Sequence, residues 1–402
     1  MTTKEQFLLP ISEDQGSSTL RVAFDVAQTC SSREGCAWHA AALAEAIKRA
    51  YPENELILYH QFGEWLNPEP HKGIQLDDCP SPFTEMSCWD ARDLWAEIES
   101  GTKPLPGNPD LVHSNSFLAP TLSPAVPLIY TIHDLTFWTH PEYTSERNRI
   151  VCQGHLLKAL KNADAFIFVS QTSKNDFEEV LPDWLESSEK PHRVIRSGSR
   201  FTAKTSNPNR FQNQNAPWLY VGSIEPRKNI EGLLATYRDY CLNSESPRPL
   251  TLIGGAKWHS EPIIEQIQEA AKELPITYHG YLDDDTLAEH FANAFALLFP
   301  SHYEGFGLPV IEAMSFGLPT ICQDLPSLRE FSEGAAIFTD FTQAETASSE
   351  LLKLEREQTL YNSLSKTGLE SVSTQNWDKT AVETLEFYKE VLASRIVARN
   401  ED

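Results

Sequence analysis

Short apolar runs alternate with longer amphipathic stretches along most of the chain. Runs of this kind, rich in Val, Ile, Leu and Phe, are typical of strands in a parallel sheet, and the stretches between them are typical of the helices that cover its faces. In the first half we predict strands at Arg21–Ala27, Leu56–His60, Asp110–Ser114, Pro127–Asp134 and Ala165–Ser170, with helices that include Trp38–Ala50 and Ile150–Lys161. The pattern indicates one α/β domain.

A second series with the same alternation follows the polar stretch Thr202–Pro217, whose Asn, Gln and Pro content marks an exposed linker. We predict its strands at Trp218–Ser223, Pro249–Gly255, Ile276–Tyr281, Phe295–Ser301 and Pro319–Asp324. The helices between them are predicted at Ile230–Asn243, Glu261–Leu274, Asp284–Ala294 and Pro309–Phe316, and the tail Trp377–Ala398 reads as a further amphipathic helix. The second half therefore repeats the α/β organisation.

The two series divide the chain into domains. We predict a first domain at 1–200, a linker at 201–217, a second domain at 218–376 and a terminal helix at 377–402 that packs back toward the first domain. Two doubly wound α/β domains would face each other across a cleft. Ligands in such sheets bind beyond the carboxyl ends of the strands, so this cleft is the expected site.

Charge and cysteine content narrow the class of protein. The 402 residues carry 33 Lys and Arg against 57 Asp and Glu, a net charge of −24, which argues against a protein that binds nucleic acid. The seven cysteines form no CxxC pair, a usage that favours reduced thiols over a disulfide framework or a zinc site. No apolar run is long enough to span a membrane, and the N-terminus has no signal pattern. We expect a cytoplasmic protein that touches the inner face of the plasma membrane at most peripherally.

The segment EGFGLPVIEAM is the most informative stretch of the chain. Gly305 and Gly307 would let the backbone approach a ligand, and Pro309 suits the first turn of a helix whose free amides favour a phosphate. Glu304 in the loop and Glu312 in the first helical turn could both accept hydroxyl groups of a sugar or ribose. The alternative is a glycine turn and a helix start stabilised by an acidic residue.

Two further strand ends carry candidate chemistry. Arg227 and Lys228 follow a predicted strand, where two adjacent cations could neutralise a diphosphate, although they could equally form a solvated helix start. His133 and Asp134 end another strand at the edge of the cleft, and His113 ends the neighbouring one. A histidine in this position is either a site residue or a structural residue of the core.

The Glu-x7-Glu spacing from Glu304 to Glu312 resembles the signature of the retaining family-4 glycosyltransferases. These have the GT-B architecture, in which two Rossmann-like domains face each other. The similarity covers most of the chain and is strongest to the mannosyltransferase-like branch that builds bacterial surface polysaccharides. It rests on VAFDVA, Gly35, DLVHS, YTIHDLTFWTHPE, FVSQTSKNDF, VGSIEPRKNI, LIGG, HGYLDDDTLAEHFANAFALLFPS and Trp377.

The resemblance assigns roles to individual residues, with the acceptor in the first domain and the donor in the second. It implies catalytic roles for His133, Glu304, Arg227 and Lys228, and an acceptor side with His113 and Asp134. The donor-binding residues that it implies are Gly35, Gly222, Arg227, Lys228, Gly280, Tyr281, Leu282, Glu304, Gly305, Phe306, Gly307, Leu308 and Glu312. The chain departs from the family at two places. Many members have arginine at the position of Ser223, and the segment GCAWH, which begins at Gly35, also differs from the common family form.

The implied reaction moves a hexose from a nucleotide diphosphate sugar to a glycan hydroxyl with retention at the anomeric carbon. The donor diphosphate would help to deprotonate the acceptor, so no protein nucleophile, metal or cofactor is expected. No Asp-x-Asp pair ends a strand, because Asp283–Asp285 reads as a helix start. GDP-mannose is the best match for the donor, and a free or lipid-linked glycan for the acceptor.

Other functions remain open at this stage. A UDP-sugar-dependent glucosyl- or N-acetylhexosaminyltransferase would carry the same residues, and a non-catalytic sugar-nucleotide-binding subunit could keep the fold and the phosphate site. A nucleotide-sugar epimerase would need a poised acid and base near the sugar. A dehydrogenase is disfavoured because the first strand is not followed by GxGxxG.

Overall fold

The structure is a computed structural model that describes residues 19–31, 35–202 and 209–401. Residues 1–18, the start of the predicted first domain, lie outside the described residues, as do 32–34, 203–208 of the predicted linker, and 402. The described chain forms two separate six-stranded sheets, in which all strands pair in parallel.

The first sheet has the strand order β2-β1-β3-β4-β5-β6 and the second the order β12-β11-β10-β7-β8-β9. The strands are β1 (Arg21–Asp25), β2 (Glu55–Tyr59), β3 (Leu111–Ser114), β4 (Leu128–Ile132), β5 (Ala165–Phe168), β6 (His192–Val194), β7 (Trp218–Val221), β8 (Leu250–Ile253), β9 (Ile276–His279), β10 (Ala296–Phe299), β11 (Thr320–Gln323) and β12 (Ala336–Thr339). The second order is that of a dinucleotide-binding Rossmann sheet.

Helices alternate with these strands. They are α1 (Gly35–Ala50), α2 (Cys88–Glu99), α3 (Thr136–Thr139), α4 (Glu146–Asn162), α5 (Gln171–Val180), α6 (Trp184–Ser188), α7 (Ile230–Asn243), α8 (Glu261–Ala270), α9 (Asp284–Asn293), α10 (Leu308–Ser315), α11 (Pro326–Ser332), α12 (Ala344–Arg356), α13 (Gln358–Ser373) and α14 (Trp377–Glu401). The predicted architecture of two facing Rossmann-like domains is confirmed.

The sequence pattern located ten of the twelve strands to within a few residues. It missed β6 and β12, which form outer edges of the two sheets and are only partly buried, so neither stands out as an apolar run. The predicted helix at Glu261–Leu274 ends earlier, at Ala270. The Asp283–Asp285 run is a helix start as predicted, because the Asp283 side chain accepts from the Thr286 amide and caps α9.

Apolar side chains bury both faces of each sheet. In the first domain one core lies beneath α2 and α4, and the other lies beneath α1. The terminal helix α14 completes this second core, where Leu385, Tyr388 and Val391 pack with Phe24 and Ile47. The last helix of the chain therefore stabilises the first domain and crosses from one domain to the other.

The two domains touch at the carboxyl ends of β4, β5 and β10. The Gly305 carbonyl accepts a hydrogen bond of 2.6 Å from Ser170 Oγ and a longer one from Ser173 Oγ. A Cβ atom at position 305 would lie 2.1 Å from the His133 carbonyl oxygen, so no other residue fits there without movement. Tyr303 Oη also donates to Asp176 across the same contact. The cleft is closed at this point.

Glu330 of α11 forms a second contact between the domains. Its carboxylate accepts from the Gln171 and Thr172 amides and from Thr172 Oγ1, all at the N-terminus of α5. A carboxylate at a helix N-terminus neutralises the partial positive charge of the free amides. The second domain therefore supplies the anion that stabilises this helix of the first domain.

We expect Glu330→Gln to weaken the domain contact, because a carboxamide carries no charge opposite α5. The free energy of unfolding in a urea titration should fall by about 1–3 kcal/mol. Glu333→Gln is the matched control, since Glu333 follows the same helix with 74% of its side chain exposed. The control should change by less than about 0.5 kcal/mol, and equal losses in the two variants would contradict the proposed contact.

Candidate active site

Three strand ends bring the predicted catalytic residues to one place. His133 directly follows β4 in the first domain. In the second domain Arg227 and Lys228 lie in a 3-10 turn after β7, and Glu304 lies between β10 and α10. These residues are far apart in the chain but close in space, because the carboxyl ends of parallel strands lie along the same edge of a sheet.

Glu304 forms a buried ion cluster with both predicted cations. Lys228 Nζ lies 2.5 Å from Glu304 Oε1, and Arg227 Nη1 lies 3.1 Å from Oε2. Arg227 also donates to the Tyr303 carbonyl and to Glu225. Each of these side chains has less than one fifth of its surface exposed to solvent. Each cation therefore already has a carboxylate partner.

The cluster fixes the ionisation of its members. Burial by itself would raise the pKa of Glu304, but the charges of Lys228 and Arg227 outweigh it and hold that pKa at about 2. Burial and the neighbouring Arg227 lower the pKa of the Lys228 ammonium. Glu304 is thus an anion at neutral pH. It can accept hydrogen bonds, but it has no proton to give to a leaving group.

Glu312 has a different partner from Glu304. It lies in the second turn of α10, not the first as expected, and both its oxygens accept from Arg200, at 2.5 Å from Nε and 2.9 Å from Nη2. Glu312 is 1% exposed. Arg200 also donates to Asp284 of α9 and lies over the Trp38 ring of α1. A ribose would have to share or replace this arginine.

His133 is held by the main chain of the neighbouring strand. Its Nε2 lies 2.7 Å from the Asn115 carbonyl oxygen, and its ring meets the edges of His39 and Phe117. A carbonyl can only accept, so Nε2 carries the proton. Burial lowers the His133 pKa, and in the neutral ring Nδ1 keeps its lone pair. Adjacent Asp134 accepts from the Thr136 amide, which starts the following turn.

His113 does not reach the cleft. It is fully buried, with Nδ1 against Tyr388 Oη of α14 and Nε2 2.7 Å from Thr131 Oγ1. Burial lowers its pKa to about 3. Both ring nitrogens are used inside the core, so the geometry corrects the acceptor-side assignment: His113 packs α14 onto the first sheet.

The loop before α10 contains the next group of predicted donor residues. Phe306 is buried and stacks on Phe331, while Leu308 begins the helix and is partly buried. Gly307 precedes the helix at φ +109°, a conformation that favours glycine, and no described side chain caps the helix there. Gly305 itself lies against the first domain's backbone, and its predicted contact with the donor stays a prediction.

The remaining predicted donor residues lie on separate elements. Gly35 begins α1, and the Gly222 amide donates to the Ile253 carbonyl after β7. After β9, Gly280 and Tyr281 are exposed and Leu282 is partly buried. Nothing lies within 4 Å of a Cβ built at Gly280. These positions stay predictions for the donor site.

A cavity of about 800 Å³ opens between the domains beside Arg200. Its walls come from α1, the segment that precedes 203, α9, α10 and the start of α14. The lining is mixed, with the Trp38 side chain among charged groups that include Glu45 and Asp284. The cavity is large enough for a nucleoside and lies next to the residue that holds Glu312.

Sequence reasoning missed Arg200, Tyr303, Ser170 and Ser173. Arg200 lies 112 residues from Glu312 in the chain, and no local pattern connects the two. Ser170 and Ser173 did carry a signal, because Ser170 ends a predicted strand and Ser173 follows it within FVSQTSKNDF. These serines hold the domains together at Gly305, and this role can be predicted only when it is known how the domains face each other.

Within 19–31, 35–202 and 209–401, no group of three or more His, Cys, Asp or Glu side chains is arranged to hold a metal ion. No helix in the same ranges is both long and apolar enough to cross a membrane.

Comparison with known families identifies the two domains. The family model of Glycosyltransferase Family 4 matches residues 33–187, and that of Glycosyl transferases group 1 matches residues 202–371. Together the two models span most of the chain. The chain belongs to these glycosyltransferases, and it is an enzyme of the GT-B fold.

Individual relatives agree with this class. The chain is 28% identical to O-antigen chain mannosyltransferase B of Escherichia coli over 273 residues, which cover 65% of this chain and 70% of that protein. It is 24% identical to O-antigen chain mannosyltransferase RfbU of Salmonella typhimurium over 248 residues, 60% of this chain and 66% of the relative. It matches only about a third of the length of the Escherichia coli mannosyltransferase WbdA.

Solved structures share the fold at low sequence identity. Sucrose-phosphate synthase from Thermosynechococcus elongatus superposes with a TM-score of 0.70 at 18% identity, covering 93% of this chain and all of that one. HepE from Anabaena in complex with UDP and glucose superposes with a TM-score of 0.64 at 16% identity, covering 92% of this chain and all of that one.

The Glu304 cluster makes stability depend on pH. The Glu304 pKa in the folded protein lies below its ordinary value of 4.5, so the cluster stabilises the fold above that pH and loses this contribution as the pH falls toward about 2. Glu304→Gln should lower the free energy of unfolding by roughly 3 kcal/mol at pH 7, because buried Lys228 loses its carboxylate partner and Arg227 keeps only Glu225.

Urea titrations between pH 7 and pH 3 measure this effect. The difference between wild type and Glu304→Gln should narrow below about pH 4.5. Glu370→Gln removes an exposed pair with Lys366 and should differ little from wild type throughout. A Glu304→Gln difference that stays constant over the whole range would show that the pKa of Glu304 is not lowered in the folded protein.

Proposed function

We propose that this glycosyltransferase moves a mannosyl group from GDP-mannose to a glycan hydroxyl, with retention, during the synthesis of a bacterial surface polysaccharide. The sugar and pathway are carried over from the O-antigen mannosyltransferases that the chain resembles. The observation that carries a diphosphate donor is the buried cluster of Arg227, Lys228 and Glu304 where the two domains meet.

In this proposal Arg227 and Lys228 bind the donor diphosphate. The incoming phosphate oxygens replace Glu304 as partner of the cations, and they keep the positive charge compensated as the nucleotide leaves. No metal is then needed for the departing diphosphate. Glu304, released from the two cations, accepts hydroxyl groups of the sugar instead.

Retention is proposed to follow from attack on the face from which the nucleotide leaves. A diphosphate oxygen takes the proton of the acceptor hydroxyl, so the protein supplies no nucleophile. His133 lies in the opposing domain with Nε2 fixed on Asn115, which leaves Nδ1 as an acceptor for a donor hydroxyl. The contact of Gly305 with Ser170 closes this region and would exclude water that could hydrolyse the donor.

The acceptor is proposed to be a glycan chain, free or lipid-linked. It would enter from the first domain, and Asp134 remains the candidate on that side because it is only half-buried after β4. The reaction would take place in the cytoplasm or at the inner face of the plasma membrane.

The donor can be identified with a panel of nucleotide sugars. We expect GDP-mannose at about 100 times its dissociation constant to add roughly 2.7 kcal/mol to the stability of the enzyme. It should also label a surface-polysaccharide acceptor with mannose in excess EDTA. UDP-glucose, UDP-N-acetylglucosamine and ADP-glucose are the comparison donors. Transfer from a UDP-sugar alone, or transfer abolished by EDTA and restored by magnesium, would refute the proposed donor or the metal-free reaction.

His133→Gln separates catalysis from nucleotide binding. Its expected partner is the sugar, so the variant should lower kcat by about 100-fold or more and leave the affinity for free GDP within about threefold. His113→Gln is the matched control for a buried histidine, because it should lower the melting temperature and leave the kcat of the folded enzyme nearly unchanged. A normal kcat in His133→Gln would assign that residue to the core.

A further inference from the structure

The outer face of α4 collects exposed apolar side chains. Three of the seven large hydrophobic residues that are exposed in the described chain lie on this one helix: Ile150 at 60%, Val151 at 43% and Leu157 at 55% exposure. The helical repeat places them on the side opposite Cys152, Leu156 and Ala159, which pack into the core. Scattered single apolar residues are normal on a surface, but three on one face are not.

Cations share this face. Arg147, Lys158 and Lys161 follow the same helical repeat as the apolar residues, and Gly154 lies open between them. Lys158 pairs with Glu64, whereas Arg147 and Lys161 form no ion pair with any residue that the structure describes. The acidic groups nearby are Glu64, which pairs with Lys158, and exposed Glu142 and Glu146 at one end of the helix. Unpaired cations are unexpected on a protein with a net charge of −24.

The α4 outer face is beside the mouth of the cleft. Tyr143 lies shortly before α4 and stacks on His302 of the second domain, with ring centroids 5.7 Å apart. Gln153 of α4 donates to the Phe137 carbonyl in α3, the short helix that follows His133 and Asp134. A surface that binds this face would therefore lie close to the entrance on the acceptor side.

We propose that the α4 outer face, formed by Arg147, Ile150, Val151, Leu157, Lys158 and Lys161, binds the surface of an anionic lipid bilayer. The apolar side chains would enter the boundary between headgroups and acyl chains, and the cations would pair with lipid phosphates. A face with both positive charge and apolar surface fits an anionic bilayer better than it fits an anionic protein, because the bilayer offers phosphates directly above an apolar interior. Binding would hold the cleft beside acceptors carried on lipid, whichever sugar is transferred.

The test is flotation with vesicles of equal parts phosphatidylglycerol and phosphatidylethanolamine, with phosphatidylcholine vesicles as the neutral comparison. We expect wild type to float with the anionic vesicles only, and this binding to weaken as salt rises. Ile150→Ser combined with Leu157→Ser, and separately Arg147→Gln combined with Lys161→Gln, should each weaken binding by about tenfold or more.

Matched controls remove the same kinds of side chain from other parts of the surface. Leu242→Ser removes the most exposed large apolar side chain, on α7 of the second domain, and Lys272→Gln with Lys366→Gln removes two exposed lysines. Both controls should float like wild type. Circular dichroism confirms that each variant is folded, and sugar transfer to an acceptor without lipid should be unchanged in all of them.

Two results would overturn the proposal. One is flotation of the α4 variants at the wild-type level. The other is wild type that does not float but self-associates in sedimentation velocity, with the α4 variants monomeric, which would make the face a protein interface. Because vesicle binding needs no donor, a failure here leaves the proposed mannosyl transfer standing, and a different donor leaves membrane binding standing.

Discussion

The burial of charge where the two domains meet is the constraint on which the rest of the site depends. A carboxylate that is removed from water must have partners, and Glu304 finds them in Lys228 and Arg227. These cations follow another strand of the same sheet, so the cluster ties the loop before α10 to the turn after β7. Glu304 remains an anion, and the loop that carries it is held in one place.

That loop also forms the contact between the domains. Gly305, next to Glu304, approaches the His133 backbone and accepts from two serines at the start of α5. Glu330 stabilises the same helix end from the second domain. Ion cluster and domain contact are adjacent in the chain, so a ligand that draws Glu304 away from its cations acts directly on the contact that closes the cleft.

Both carboxylates that were predicted to bind the donor, Glu304 and Glu312, already have arginine or lysine partners in the protein. Arg200 occupies both oxygens of Glu312, as Lys228 and Arg227 occupy those of Glu304. In the proposed reaction, the binding of a nucleotide sugar would be an exchange of partners, in which phosphate and hydroxyl groups replace internal ion pairs. Such an exchange costs less than leaving the cations unpaired, because phosphate oxygens would replace the carboxylate beside them.

The sequence by itself determined the fold, the order of the elements and the strand ends that carry the candidate site residues. Ten of the strands and the start of α9 could be predicted because hydrophobic periodicity and capping are local properties. Edge strands β6 and β12 were missed because partial burial weakens that signal. Glu304, Lys228 and His133 were found because their neighbours in the chain resemble a known family.

Only the tertiary structure decided what each side chain contacts. It showed that buried His113 contacts Tyr388 of α14 and that Glu312 pairs with Arg200. Both pairings join residues that are far apart in the chain. It also showed that Gly305 makes room for the opposing domain. Such pairings depend on how sheets, helices and domains pack against one another. This packing is set by the summed burial of many residues, and the local sequence around each residue does not indicate which residue it will contact.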